Sequence, residues 1–128
     1  MTLAYWCVFA VIFMPLGCAA YAKKAAGFDF ARDNGNPRGF LAKAEGVAAR
    51  ANAAQQNCFE AFAPFAAGVV IAQVSGNAAQ LTVNVLAVLF VLCRLAFVYF
   101  YLADKPQLRS LSWVGGFLAT LGLFVAAV

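Results

Sequence analysis

The chain has 128 residues, 65% of them hydrophobic and 11% charged, against roughly 45–50% and about 25% in soluble domains. So few charges cannot cover a water-facing surface, which excludes a soluble globular domain and makes lipid the solvent for most of the outside. The net charge of +4 lies mainly between apolar stretches, where anionic headgroups would meet it, and this pattern argues against a nucleic-acid partner.

The first predicted helix covers about residues 2–22. Met1 to Ala22 carries no charge and lacks the basic start and short apolar core of a secretory signal, so it reads as a retained span. Pro15 should bend it. Residues 23–43 follow as a loop with Lys23, Lys24, Arg32, Arg38 and Lys43 against Asp29 and Asp33. Its run Asp33-Asn34-Gly35-Asn36-Pro37 is turn chemistry.

The second helix is predicted over 44–75. Its length, about 48 Å, exceeds a hydrocarbon core of about 30 Å. The first half carries Arg50, Asn52, Gln55, Gln56, Asn57 and Glu60, and the second half is nearly all apolar. The first half should therefore project into the interface or line a protected cavity, with a kink at Pro64. Ser75-Gly76-Asn77 is a short uncharged turn. The third helix, 79–103, contains one charge, Arg94. Asp104-Lys105-Pro106 connects it to the last helix, 108–128, whose Gly115, Gly116, Ala119, Gly122 and Ala126 permit close helix approach. The whole chain thus reads as one all-α, polytopic four-helix membrane domain. Both basic loops fall on the same side, and the positive-inside rule places them in the cytoplasm with both termini outside.

Histidine is absent, which removes His-based triads and most zinc sites, and no metal site is expected. Cys7, Cys18, Cys58 and Cys93 form no CxxC pair and read as small buried hydrophobes without a resolving partner or a nearby base.

Ionisable groups inside membrane helices are candidates for function. Arg50 and Asn57 differ by about 20° around the second helix, and Glu60 lies about 80° from Arg50, so the three share one side. They form either a ligand site or a packing network, and Glu60 is expected to pair with Arg50 or Arg94. Arg94 and Tyr101, seven apart, share a face of the third helix, and Arg109 follows the next turn. Tyr101 could equally belong to an interfacial aromatic belt, and Arg109 could be a snorkelling side chain. Arginines bind carboxylates through paired hydrogen bonds, and beside a thiol they favour the reactive thiolate. Glutathione combines both groups.

The segments Asn36-Pro37-Arg38, Arg50-Ala51 and Asn57-x-x-Glu60-x-x-x-Pro64-Phe65, with Arg94, Tyr101 and Gln107-Leu108-Arg109-Ser110, resemble the MAPEG family (membrane-associated proteins in eicosanoid and glutathione metabolism), in its bacterial branch. The resemblance covers nearly the whole chain. It implies a homotrimer, a bacterial inner-membrane location and glutathione held between protomers. By position it implies that Arg50, Asn57, Glu60, Arg94 and Tyr101 contact or support glutathione, and that Arg109, with Arg94, activates the thiol for transferase or peroxidase chemistry on lipophilic electrophiles. Ala53 and Trp113 depart from the family's enzymes, which leaves open a non-catalytic structural or lipid-binding subunit, accessory to a larger membrane assembly. A small four-helix transporter is a third reading, disfavoured because the first helix carries no ionisable residue.

Overall fold

In the computed structural model, which describes residues 1–128, four helical segments are long and apolar enough to cross a membrane: Leu3–Ala25, Gly46–Ser75, Gln80–Leu102 and Pro106–Ala126. The first consists of α1 (Leu3–Val11) and α2 (Phe13–Ala25). Two short helices, α3 (Phe30–Asp33) and α4 (Pro37–Ala42), lie before the long α5 (Gly46–Ser75), followed by α6 (Gln80–Leu102) and α7 (Pro106–Ala126). No strand is present. The chain is an all-α, four-helix integral membrane protein.

The helix limits follow local chemistry. The first span is interrupted at Ile12, whose N–H turns to the Phe9 carbonyl at 3.3 Å. Pro15 explains the break: it has no N–H for the carbonyl of Val11, four residues back. The span continues past Ala22 to Ala25 because Lys23 and Lys24 occupy its last turn, where cations complement the helix dipole. Pro64, in contrast, is carried within an uninterrupted α5. That helix stops at Gly76, whose positive φ of 69° ends it in the left-handed conformation. α7 begins at Pro106, two residues before the expected start, since proline at the first helical position costs no hydrogen bond.

The loop expected over 23–43 contains α3 and α4. Asp29 and Asn36 cap them, accepting from the backbone N–H groups of Arg32 at 2.8 Å and Gly39 at 3.0 Å. The Arg32 guanidinium grips the Asp33 carboxylate through two bonds, of 3.0 and 2.8 Å, and Asp33 also accepts from the Asp29 N–H at 2.9 Å. The Arg32 bond first, and the Asp29 amide second, hold the Asp33 carboxyl below the usual carboxylate range.

The four spans alternate in direction. Thr2, Gln73, Asn77, Asn84 and the carbonyls of Ala127 and Val128 meet at one end, where Gln73 donates to Thr2 at 3.0 Å, the Ala4 N–H to Asn84 at 3.2 Å and Asn77 to Ala127 at 3.0 Å. The basic segments lie at the other end. Between them, Phe65 of α5 stacks on Phe90 of α6, with centroids 3.8 Å apart and planes at 6°. Val11, Val69, Val83 and Leu123 close around the pair. Trp6, Phe9, Leu81, Leu92 and Leu118 point outward and are exposed, as lipid-facing side chains are. With lipid equally apolar, the helices cohere through close packing.

Close packing predicts a contrast between two glycines. A methyl group on Gly68 would meet the Leu123 Cβ and the Phe124 ring, both at 3.2 Å, and Leu123 is fully buried. On Gly116 the nearest contact would be an ordinary 3.6 Å. In thermal unfolding in detergent, Gly68→Ala should lose about 1 kcal/mol, overpacking outweighing helix propensity, while Gly116→Ala should be neutral or gain about 0.5 kcal/mol. A second prediction concerns pH. The Asp33 interactions are fully present above the unfolded pKa of about 3.9 and are lost as pH falls through the lower folded value. An acid-active protease should therefore cut the 27–43 segment faster below about pH 4, and Asp33→Asn should remove that dependence.

Candidate functional site

Arg94 is only 2% exposed in the middle of α6, and no carboxylate pairs with it; the one ion pair in the protein is Arg32–Asp33. A buried cation needs every donor answered. Its Nη1 donates to the Asn57 Oδ1 at 3.0 Å, and its Nη2 to the Cys58 Sγ at 3.3 Å. The guanidinium also lies over the Phe97 ring, 4.1 Å from the centroid, a cation–π contact strengthened by burial. Consecutive residues of α5 thus supply both acceptors.

Asn57 faces two ways. Its carbonyl oxygen accepts from Arg94 while its Nδ2 donates to the Glu60 Oε2 at 3.1 Å. A neutral amide therefore links guanidinium to carboxylate, its dipole aligned with both charges. The expected direct ion pair of Glu60 with Arg50 or Arg94 does not form. Arg50 turns toward the third span and donates to the Leu102 carbonyl through Nε at 3.4 Å and Nη2 at 3.3 Å. Its charge there complements the C-terminus of α6. Spacing placed Arg50 and Asn57 on one side of the helix, but a long side chain at the helix end can reach sideways, and Arg50 lines neither cavity described next.

Two cavities meet at Asn57 and Glu60. One, of about 200 Å³, lies between α5, α6 and α7 and is lined by Asn57, Glu60, Pro64, Phe90, Arg94, Trp113 and Thr120 among others. The second, of about 430 Å³, is nearer the basic end, and its lining includes Gln56, Asn57, Glu60, Tyr101, Arg109 and Trp113. Arg109 lies over the Tyr101 ring at 4.5 Å, and Tyr101 meets Phe97 edge-on at 5.4 Å. The structure thus gathers Asn57, Glu60, Tyr101 and Arg109 around one cavity and puts Arg94 behind its wall. A volume of 430 Å³ falls in the range of about 300–1,000 Å³ typical of small-molecule sites.

The family model for MAPEG matches residues 3–128. The chain belongs to the MAPEG family. No curated protein and no solved structure matches it. Within this MAPEG chain, the resemblance residues divide by place: Arg50 caps a helix, Arg94 is an interior strut, and Tyr101 and Arg109 face the larger cavity. One contributor, Cys58, escaped the sequence reading, and another, Trp113, entered it only as a departure from the family's enzymes. Trp113 lines both cavities. Cys58, read as an inert apolar residue, accepts one of the two side-chain hydrogen bonds that Arg94 donates. The reading of the cysteines as plain apolar filler is corrected at Cys58 alone, whose sulfur accepts from a buried guanidinium. Only the demand of a buried arginine for two acceptors could have signalled Cys58.

This network sets the effect of two substitutions. Glu60 is exposed within one protomer and accepts only from Asn57, so Glu60→Gln, which keeps an acceptor oxygen, should shift stability by no more than about 0.5 kcal/mol. Asn57→Ala strips an acceptor from a buried cation and should cost about 1–3 kcal/mol. Thermal unfolding of both variants in the same detergent measures the difference; equal losses would contradict the bonding described.

Proposed function

We propose that this MAPEG protein binds glutathione, or a similar small peptide anion, in the larger of the two cavities, nearer the basic end, and presents its thiol to lipophilic electrophiles. The observation that carries this reading is the 430 Å³ cavity with Arg109 over Tyr101 on one wall and Glu60 on another. The fit is chemical: Arg109 can pair with a carboxylate or thiolate, Gln56 and Asn57 can bond peptide groups, and Glu60 can accept from an ammonium. Bound there, glutathione would supply a sulfur nucleophile for transferase or peroxidase chemistry. The chain's part is to hold it, to stabilise negative charge with Arg109, and to keep Asn57 aimed through Arg94.

The same reading includes a homotrimer. Ala53, Gln56, Asn57 and Glu60 recur at helical spacing on one stripe of α5, and Gln56 and Glu60 are exposed in a single protomer. Glu60 lies midway along a 30-residue helix, where lipid would solvate it poorly. Neighbouring copies covering the stripe would enclose both Glu60 and the ligand. The basic end, with Lys23, Lys24, Arg38, Lys43 and Lys105, is assigned to the cytoplasmic face of a bacterial inner membrane, with both termini outside. A non-catalytic structural or lipid-binding subunit is favoured by one observation: Arg94 is already bonded by Asn57 and Cys58, as in a packing network.

Calorimetry with glutathione on the solubilised protein separates the two. The catalytic reading expects binding by the wild type, weakened by about 1.5–3 kcal/mol in Arg94→Lys through loss of paired, charged hydrogen bonds that position Asn57. Arg109→Ala should reduce a thiolate absorbance signal more than it reduces binding. A wild type that shows neither heat nor thiolate signal would leave the structural subunit as the function.

A further inference from the structure

The break at Ile12 divides the first span between two neighbours. α1 packs chiefly on α6, whereas α2 packs on α5. A groove of about 370 Å³ opens between α2 and α6, with Met14, Gly17 and Tyr21 on one wall and Leu95, Tyr99 and Leu102 on the other. The lining residues recur three or four apart, so each wall is one helical face. Gly17 makes a notch in its wall: a methyl group there would meet nothing within 4 Å. The groove shares no lining residue with the 430 Å³ cavity.

Both walls run toward the basic end, so the groove has an inner and an outer end. Met14 and Leu95 lie at the inner one, Tyr21 and Leu102 at the outer. Seven residues of helix give it a length of about 10 Å, which fits within one leaflet, half of a hydrocarbon core of about 30 Å. At the outer end the chemistry changes. Tyr21 and Tyr99 are exposed, as tyrosines at headgroup level are. The α2 stripe continues at the same spacing to Lys24, which with Lys23 occupies the last turn. Leu102 packs on the cluster of Ala22, Leu41 and Ala51. Cations flank that cluster: Lys23 follows Ala22, Lys43 lies two residues past Leu41, and Arg50 precedes Ala51. Arg50 reaches the Leu102 carbonyl itself, at 3.3 Å. The carboxylates near in sequence are Glu45, two residues past Lys43, and Asp104, two past Leu102, so positive charge prevails at the groove mouth.

We propose that this groove is a binding site for one acidic phospholipid of the surrounding bilayer, an acyl chain lying between α2 and α6 and the phosphate meeting Lys24 and its neighbouring cations. The apolar walls match the chain, and the cationic mouth matches the headgroup. A second copy of the protein matches less well. Its spans carry one carboxylate, Glu60, midway along a helix, where it cannot meet cations at the groove mouth. The bound chain fills the wedge left where α2 turns away from α6, and so braces the bent half of the first span. The site depends on nothing in the glutathione cavity.

The test uses the full chain in detergent, titrated with dioleoyl phosphatidylglycerol or dioleoyl phosphatidylethanolamine, with retained lipid counted by native mass spectrometry. The expected result is one phosphatidylglycerol per chain, held at least about fivefold more tightly than phosphatidylethanolamine. Lys24→Gln should weaken phosphatidylglycerol about fivefold and leave phosphatidylethanolamine unchanged. Gly17→Phe puts a ring into open groove and removes a glycine from a helix interior. It should melt no lower than the wild type when no lipid is added, yet retain none. In vesicles of the two lipids, a phosphatidylglycerol with a diazirine midway along one chain should label residues 14–21 and 95–102. Should Gly17→Phe fail to fold, the Lys24→Gln shift and the labelling still decide. Equal retention of both lipids, labelling confined to other helices, or unchanged retention in folded Gly17→Phe would overturn the proposal. Loss of self-association in Gly17→Phe would also overturn it, giving the groove to a second copy.

Discussion

A guanidinium without a carboxylate organises this protein. Burying Arg94 inside an apolar bundle would be prohibitive unless its donors were met. Neighbouring α5 residues meet two of them, one through an amide and one through sulfur, while Phe97 offers a π face. The arrangement fixes the rotation of α5 about its axis relative to α6. A slip of one residue along α5 would move both acceptors away from the cation at once. Much of what surrounds the site follows from that registration, including the Phe65–Phe90 stack two turns further along and the opening of the larger cavity beside Tyr101.

The neutral amide between charges also shapes the electrostatics. A direct Arg94–Glu60 pair would cancel locally and leave little field. With Asn57 interposed, positive and negative ends remain separated, with the carboxylate at the open face of α5 and the cation enclosed. A zwitterionic peptide meets such a field more favourably than a simple anion would, because it can answer both signs. Glu60 is the one carboxylate within the spans, and with Asn57 beside it no tight ion pair forms there.

The four spans were legible in the sequence because their signal is long and additive: about twenty apolar residues outweigh any local exception. The ends were less so. Pro15 announced a bend in the first span, but Ala25 lies past its expected end because the lysines of the last turn extend the helix, and Pro106 starts α7 earlier than a hydropathy reading would. Asn57, Glu60, Arg94, Tyr101 and Arg109 were legible as candidates because polar residues are rare within these helices. Their partners were not. Spacing gives an azimuth, but Arg50 has several rotatable bonds and leaves its azimuth for the Leu102 carbonyl. Cys58 was missed for the opposite reason: thiols are commonly apolar filler, and its role exists only because a residue 36 positions away requires an acceptor.

The close pairing of α6 with α7 bears on how the bundle is made. Ala103, Asp104 and Lys105 are all that separate the two helices, and Gly115, Gly116 and Gly122 let them approach side chain to backbone along their length. Contacts so near in sequence close small loops and form early. The bonds from Arg94 to α5 span more than thirty residues and must wait for a second helical unit to arrive. Arg94 therefore depends on a distant helix: on an α6–α7 hairpin by itself the charged side chain lacks the acceptors of Asn57 and Cys58, and only a docked α5 in the right register supplies both.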